Sequence, residues 1–191
     1  MTFYLHNDPS PPVGDTTSQP ALPMDFELPT ASILYNYDTN RDASPGLLIA
    51  KGGSGVYENN PVKYQAWRTP EFAEAMFISG EASLKLWSAM KNFEEDNGGA
   101  VTVYLRDFDG WGYVELGSGT LTDAPWQAGG PSWVLNTITF SAGPYLVASG
   151  HKLELKLIVE GSSDDDMWFA YDSNSEKSRL TVSASFPIAN L

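Results

Sequence analysis

The chain has 191 residues, 24 acidic side chains against 11 basic ones for a net charge of −13, and 42% apolar content. A surface this acidic repels phosphate backbones and anionic headgroups, which argues against nucleic acid as a partner and against docking on anionic membranes. The apolar fraction is that of one globular domain with a sizeable core, and the absence of cysteine excludes disulfides, thiolate zinc sites and cysteine nucleophiles.

No apolar run is long enough to cross a bilayer, so no membrane insertion is expected. The opening MTFYLHNDPSPP lacks the basic and apolar regions of a signal peptide. Residues 1–30 read as a distinct Pro-rich region. Phe3, Tyr4 and Leu5 suit one short strand, and Pro9, Pro11, Pro12, Pro20, Pro23 and Pro29 impose extended or turn geometry. Two readings stay open: a strap lying over its own domain, or an arm that docks on a neighbouring copy and drives self-assembly. Residues 31–191 read as a single domain.

Ser32–Tyr37 and Gly46–Lys51 read as strands, separated by DTNRDASPG. Gly52-Gly53-Ser54-Gly55 is a flexible turn without the Lys-Ser/Thr pair of a phosphate loop. Lys63–Arg68 is a further strand. Thr69–Met76 is the best helical stretch, with Thr69 as cap, Pro70 in the first turn and acids early. Ser83–Ala89 alternates, with Leu84 and Leu86 on one face. Ala100–Asp107 points Val101, Val103 and Leu105 inward. Phe108–Gly112 turns into Tyr113–Thr122, and a long loop with Trp126 leads to the strand Trp133–Ser141. Gly143-Pro144 turns the chain again.

In Lys152–Asp172, Leu153, Leu155 and Leu157 alternate with Glu154 and Lys156, the period of a strand with one buried face. Gly161-Ser162-Ser163 and Asp164, Asp165 and Asp166 interrupt, and Met167–Tyr171 starts another strand. The pair reads as two core strands joined by a short acidic loop. Arg179–Phe186 closes the series. Roughly ten to twelve strands at spacings of about 8–15 residues, with at most one short helix, predict an all-β chain: an antiparallel β-sandwich of the jelly-roll kind.

Residues 77–159 resemble the C-terminal jelly-roll domain of the X-Pro dipeptidyl peptidase and cocaine-esterase group. The resemblance rests on Gly80, Leu84, Leu86, Leu105, Asp107, Gly110, Gly119, His151, Leu153 and Leu155. It implies a galactose-binding-like sandwich serving as an accessory, non-catalytic unit. The catalytic residues of that group lie in a separate hydrolase domain, so none is carried over.

Three features bear on function. Asp38, Asn40 and Asp42 alternate oxygen ligands as a calcium loop does, without the Gly and Glu of an EF-hand; the competing reading is an Asx-rich turn. Asp164 and Asp166 are a second carboxylate pair that a cation would neutralise, unless solvent does. Among the six tryptophans, Trp87 and Trp168 lie in strands and read as core. Trp111 and Trp126 lie in Gly- and Pro-rich loops, where an exposed ring can stack on sugar. His6 and His151 have no nucleophile motif beside them, and neither HExxH nor GxSxG occurs, so the chain does not read as an enzyme. The leading expectation is a non-catalytic, extracellular or cell-surface module with a structural or adhesive role. The alternatives are a carbohydrate-binding module with a structural calcium and a glycan ligand, or a viral capsid or tail jelly roll.

Overall fold

The computed structural model describes residues 1–7, 20–31, 46–55, 61–91, 98–124 and 133–186. Among them are eleven strands and no helix: β1 Thr2–Leu5, β2 Leu22–Asp25, β3 Leu47–Ile49, β4 Gln65–Arg68, β5 Met76–Met90, β6 Gly99–Phe108, β7 Tyr113–Ala124, β8 Val134–Val147, β9 Lys152–Val159, β10 Met167–Ala170 and β11 Arg179–Ser185. They run in the order β3-β10-β5-β11-β1-β2-β4-β9-β6-β7, with β8 on the other edge of β5. Every strand pair is antiparallel except β2 beside β4. This is the expected all-β sandwich, and its two layers are one continuous, unclosed sheet folded over a common core.

The period-two pattern drives the folding. Val101, Val103 and Leu105 of β6 and Leu153, Leu155 and Leu157 of β9 are buried, and they face Ile78, Leu84 and Leu86 of β5 across the core. Trp67 of β4 is fully buried among them, whereas Trp87 and Trp168, read as core, are half-exposed. Two glycines of β7 let the layers meet. A Cβ on Gly117 would overlap the Ser141 carbonyl oxygen, and one on Gly119 would sit 3.0 Å from Ile138 and Phe140 side-chain atoms.

Three local expectations change. β9 and β10 are not a hairpin: β9 pairs with β4 and β6, and β10 with β3 and β5, so the acidic loop crosses from one layer to the other. Thr69–Met76 forms no helix. The Thr69 Oγ1 that would cap it accepts the Leu153 amide at 3.0 Å, and Phe72 N–H donates to His151 O, which ties the segment to the start of β9 and the turn before it. β8 runs through Gly143-Pro144 as one strand, because Gly143 at φ 78° forms a bulge opposite Ile78–Gly80. In the Pro-rich region the expected short strand forms as β1, and β2 follows it; both are built into the sheet and bury Phe3, Leu5, Leu22 and Met24. Pro23 is tolerated because it points outward, and its carbonyl still accepts His6 N–H at 2.9 Å. Residues 8–19 and 32–45, the latter including the expected strand Ser32–Tyr37, lie outside the described residues.

His6 fastens this N-terminal segment. Its Nδ1 lies 2.8 Å from Asp172 Oδ1 and its Nε2 3.1 Å from Asp25 Oδ1. Asp172, at φ 58°, also accepts the Asn7 amide at 2.8 Å. Burial opposes the imidazolium charge, but the Asp172 hydrogen bond and the two carboxylates outweigh it and raise the His6 pKa above its ordinary 6.5. A raised folded-state value means stability that is complete below 6.5 and lost as pH rises through the folded value. The melting temperature of the wild type should therefore fall across that window relative to His6→Gln, as followed by circular dichroism. A second expectation concerns the layers: Gly117→Val should destabilise by about 1–3 kcal/mol or more through overpacking, measured by urea unfolding.

Candidate ligand-binding face

Alternation leaves β4, β9, β6 and β7 with a second, outer face. The strand register orders it in rows. Arg68, Glu154, Arg106 and Glu115 form one row; Ala66, Lys156 and Tyr104 form the next; Lys152, Phe108 and Tyr113 form a third. Glu154 is only 2% exposed and is held between two guanidinium groups. Arg68 Nε donates to its Oε2 at 2.6 Å and Arg106 Nη2 donates to its Oε1. A buried carboxylate needs such partners, because an unpaired charge there is costly.

Aromatic rings cover these cations. Arg68 stacks 3.7 Å from the Phe108 centroid, Arg106 4.1 Å from that of Tyr113, and Lys156 Nζ 4.3 Å from that of Tyr64. These distances are those of cation–π contacts. Arg106 is nearly buried, and among the described residues its Nε has no hydrogen-bond partner. Burial, followed by the Arg106 charge, pushes the Lys156 pKa down.

The β6–β7 turn stands beside this face. Asp109 Oδ1 accepts the Gly112 amide at 2.7 Å and the Trp111 amide at 2.8 Å, and Gly110 takes φ 99°. The same two amides lower the Asp109 pKa, that of Gly112 most. The clamp presents Trp111 97% exposed, next to Tyr113 at 64% and Val114 at 50%. The inner side of the turn is tied down as well. Asp107 is buried and accepts Tyr145 Oη and His151 Nδ1, each at 3.0 Å. Burial and then Asp107 raise the Tyr145 pKa. Asp107 and His151, two of the residues that carried the sequence resemblance, thus bond to each other and fix the β8–β9 turn against β6.

The other expected site residues lie elsewhere. Asp38, Asn40, Asp42 and Trp126 are outside the described residues. Asp164 and Asp166 sit in the crossing loop. Asp164 Oδ2 accepts the Gly98 amide at 2.7 Å, and Asp166 accepts the Lys51 amide at 3.0 Å and Lys91 Nζ at 2.9 Å. The Asp166 bond raises the Lys91 pKa. Both carboxylates therefore stitch the loop to the ends of β3, β5 and β6. Among the described residues, no three His, Asp or Glu side chains gather as a metal site would require. The outer-face row of Arg68, Glu154 and Arg106 escaped sequence reading. Arg106 and Glu154 each alternate with core residues, but their alignment exists only once β4, β9 and β6 are in register. Glu154→Gln should cost about 3–5 kcal/mol, the scale for removing one partner of a buried ion pair, as read from urea unfolding, whereas Glu115→Gln should change stability by less than about 1 kcal/mol.

Neither the comparison with protein-family models nor that with curated proteins finds a match. Solved structures do match. An aminopeptidase from a marine-sediment Thaumarchaeota archaeon superposes with TM-score 0.62 at 10% identity over 97% of this chain. A CocE/NonD family hydrolase from Staphylococcus aureus gives 0.60 at 12% over 95%, and an α-amino acid ester hydrolase gives 0.54 at 10% over 64%. The chain spans 37%, 35% and 25% of those proteins respectively. At these identities the likeness is one of fold. It extends the jelly-roll resemblance of residues 77–159 to most of the chain, and the chain is similar to a part of these hydrolases, not to their whole length.

Proposed function

We propose that this chain is a non-catalytic, extracellular β-sandwich module with an adhesive role, and that its contact surface is the β6–β7 turn with the adjoining outer face of the sheet. The observation that carries this reading is Trp111, held almost fully exposed on a turn whose backbone Asp109 clamps. A buried Trp of about 150–250 Å² would contribute roughly 4–6 kcal/mol by the transfer scale. That contribution is forgone here on a rigid platform, next to two further exposed apolar side chains. Preorganisation of this kind suits recognition, because little motion is lost when a partner is bound. The fold supports the non-catalytic part by its likeness to a fraction of larger hydrolases, together with a sequence free of nucleophile motifs.

An array carrying neutral glycans, acidic glycans and extracellular proteins tests the reading. The wild type should bind at least one class, and Trp111→Ala should lose about tenfold or more in affinity with its melting temperature within about 2 °C of wild type. Binding unchanged by the substitution, or no binding to any class, would remove Trp111 from a contact role. Calcium belongs to the same proposal as a structural ion, supported by the alternating oxygens of Asp38, Asn40 and Asp42. The melting temperature should then rise in millimolar calcium over chelator; equal values in both would discard the ion.

A further inference from the structure

We infer that the outer face of β4, β9, β6 and β7 binds acidic polysaccharide, a polymer of carboxylated or sulfated pyranose rings; the inference rests on the adhesive reading and names its ligand. The distribution of charge carries it. Four of the eleven cationic side chains of the chain, Arg68, Arg106, Lys152 and Lys156, stand on this one face. Of the 24 acids, only Glu154 and Glu115 lie on the same rows, with Glu71 at the edge 3.5 Å from Lys152. Glu154 is buried and neutralises at most one of the two guanidinium groups that grip it. Four cations against the carboxylates of Glu154, Glu115 and Glu71 leave this face with a small positive surplus on a protein of charge −13, which favours an anion there.

Charge alone would suit any polyanion. The aromatic side chains narrow the choice to polyanions that carry ring faces, and among these nucleic acid is disfavoured by the net charge of −13. Phe108 and Tyr113 are cross-strand partners on this face, with Trp111 exposed at its end, so flat apolar surfaces stand directly beside the cations. A uronate or sulfated residue has both matching parts: a ring whose C–H face stacks on an aromatic and an anionic group for Arg68, Lys152 or Lys156. The buried Arg106 Nε without a partner keeps a positive N–H group behind the Tyr113 ring. An acidic peptide offers the charge but no repeated ring face.

Retention of the full chain on immobilised polygalacturonate, dextran and poly-L-glutamate at low salt tests this. Polygalacturonate should retain the protein and the other two should not. Salt should elute it, because exposed ion pairs are screened. The double substitution Lys152→Gln, Lys156→Gln should weaken retention about tenfold or more. Its melting temperature should fall by no more than about 2–4 °C, since it loses only the Lys152–Glu71 pair and the Lys156–Tyr64 contact; Trp111→Ala should also weaken retention but keep its salt dependence, whereas the double variant should show a reduced one. Equal retention on poly-L-glutamate would show a general anion site, and equal retention on dextran would show that charge is irrelevant. Either overturns the acidic-sugar assignment while leaving an adhesive module in place. Retention on none of the three, with array binding elsewhere that needs Trp111, overturns this assignment alone; loss of array binding as well overturns the adhesive reading with it. Low-salt dimerisation abolished by the double substitution would assign the face to a second copy of the chain instead.

Discussion

One strand must serve three neighbours. β5 pairs with β8 along nearly its whole length on one edge, and on the other edge with β11 over its first part and β10 over its last. Its inward residues Ile78, Leu84 and Leu86 meet β6 and β9 across the core, so both of its edges and one of its faces are occupied. A strand in this position has no tolerance for a register slip, because a one-residue shift would turn every apolar side chain outward. The two bulges, opposite Gly143 and near Val182, absorb local mismatch without shifting the rest. The β7 glycines follow from the same demand: with β8 fixed on β5, β7 can close over it only where no side chain intervenes.

That rigidity is what gives the outer face of the other layer its order. Its rows are set by the pairing of β9 with β4 and β6, whose inward leucines are completely buried. Arg68, Glu154 and Arg106 align because the leucines between them have no alternative position. The burial of Glu154 is then a consequence of core packing, and the two guanidinium groups and their covering rings are the response to it. A buried ion pair is weak grounds for stability. Here its larger consequence is geometric, since it fixes two cations and two aromatic rings on one surface.

Much of this was legible in the residues, and the limits are informative. The alternation of Leu153, Leu155 and Leu157, and of Val101, Val103 and Leu105, identified β9 and β6 because burial on one face imposes period two. The Phe108–Gly112 turn was legible from its glycines and Asp109, and the exposure expected of Trp111 from its place in that turn. Thr69–Met76 misled because its capping signals are local, whereas the Leu153 amide that takes the Thr69 hydroxyl arrives from 84 residues away. The pairing of β9 and β10 misled for a related reason. A short polar loop between two apolar runs suggests a hairpin, and only the sheet order reveals a crossing between layers. Gly143 read as a turn because a bulge and a turn use the same glycine backbone. The cationic face was invisible for the deepest reason: its residues are outward positions on separate strands, and no one-dimensional pattern marks them.

The crossing loop shows how an acidic chain manages its own charge. Asp164, Asp165 and Asp166 are adjacent and would repel one another if all were left to solvent alone. Instead Asp164 accepts the Gly98 amide, Asp165 accepts the Asp166 amide, and Asp166 engages the Lys51 amide and the Lys91 ammonium. The carboxylates thereby join three strand ends belonging to both layers. Acids thus do structural work at the ends of the sandwich, where amides and a few lysines are free to meet them, while a third or more of the cations collect on one sheet face with only two acids on its rows. In a chain with more than twice as many acids as bases, four cations on that face stand against Glu154, Glu115 and the edge residue Glu71, a local surplus of positive charge where the chain as a whole is negative.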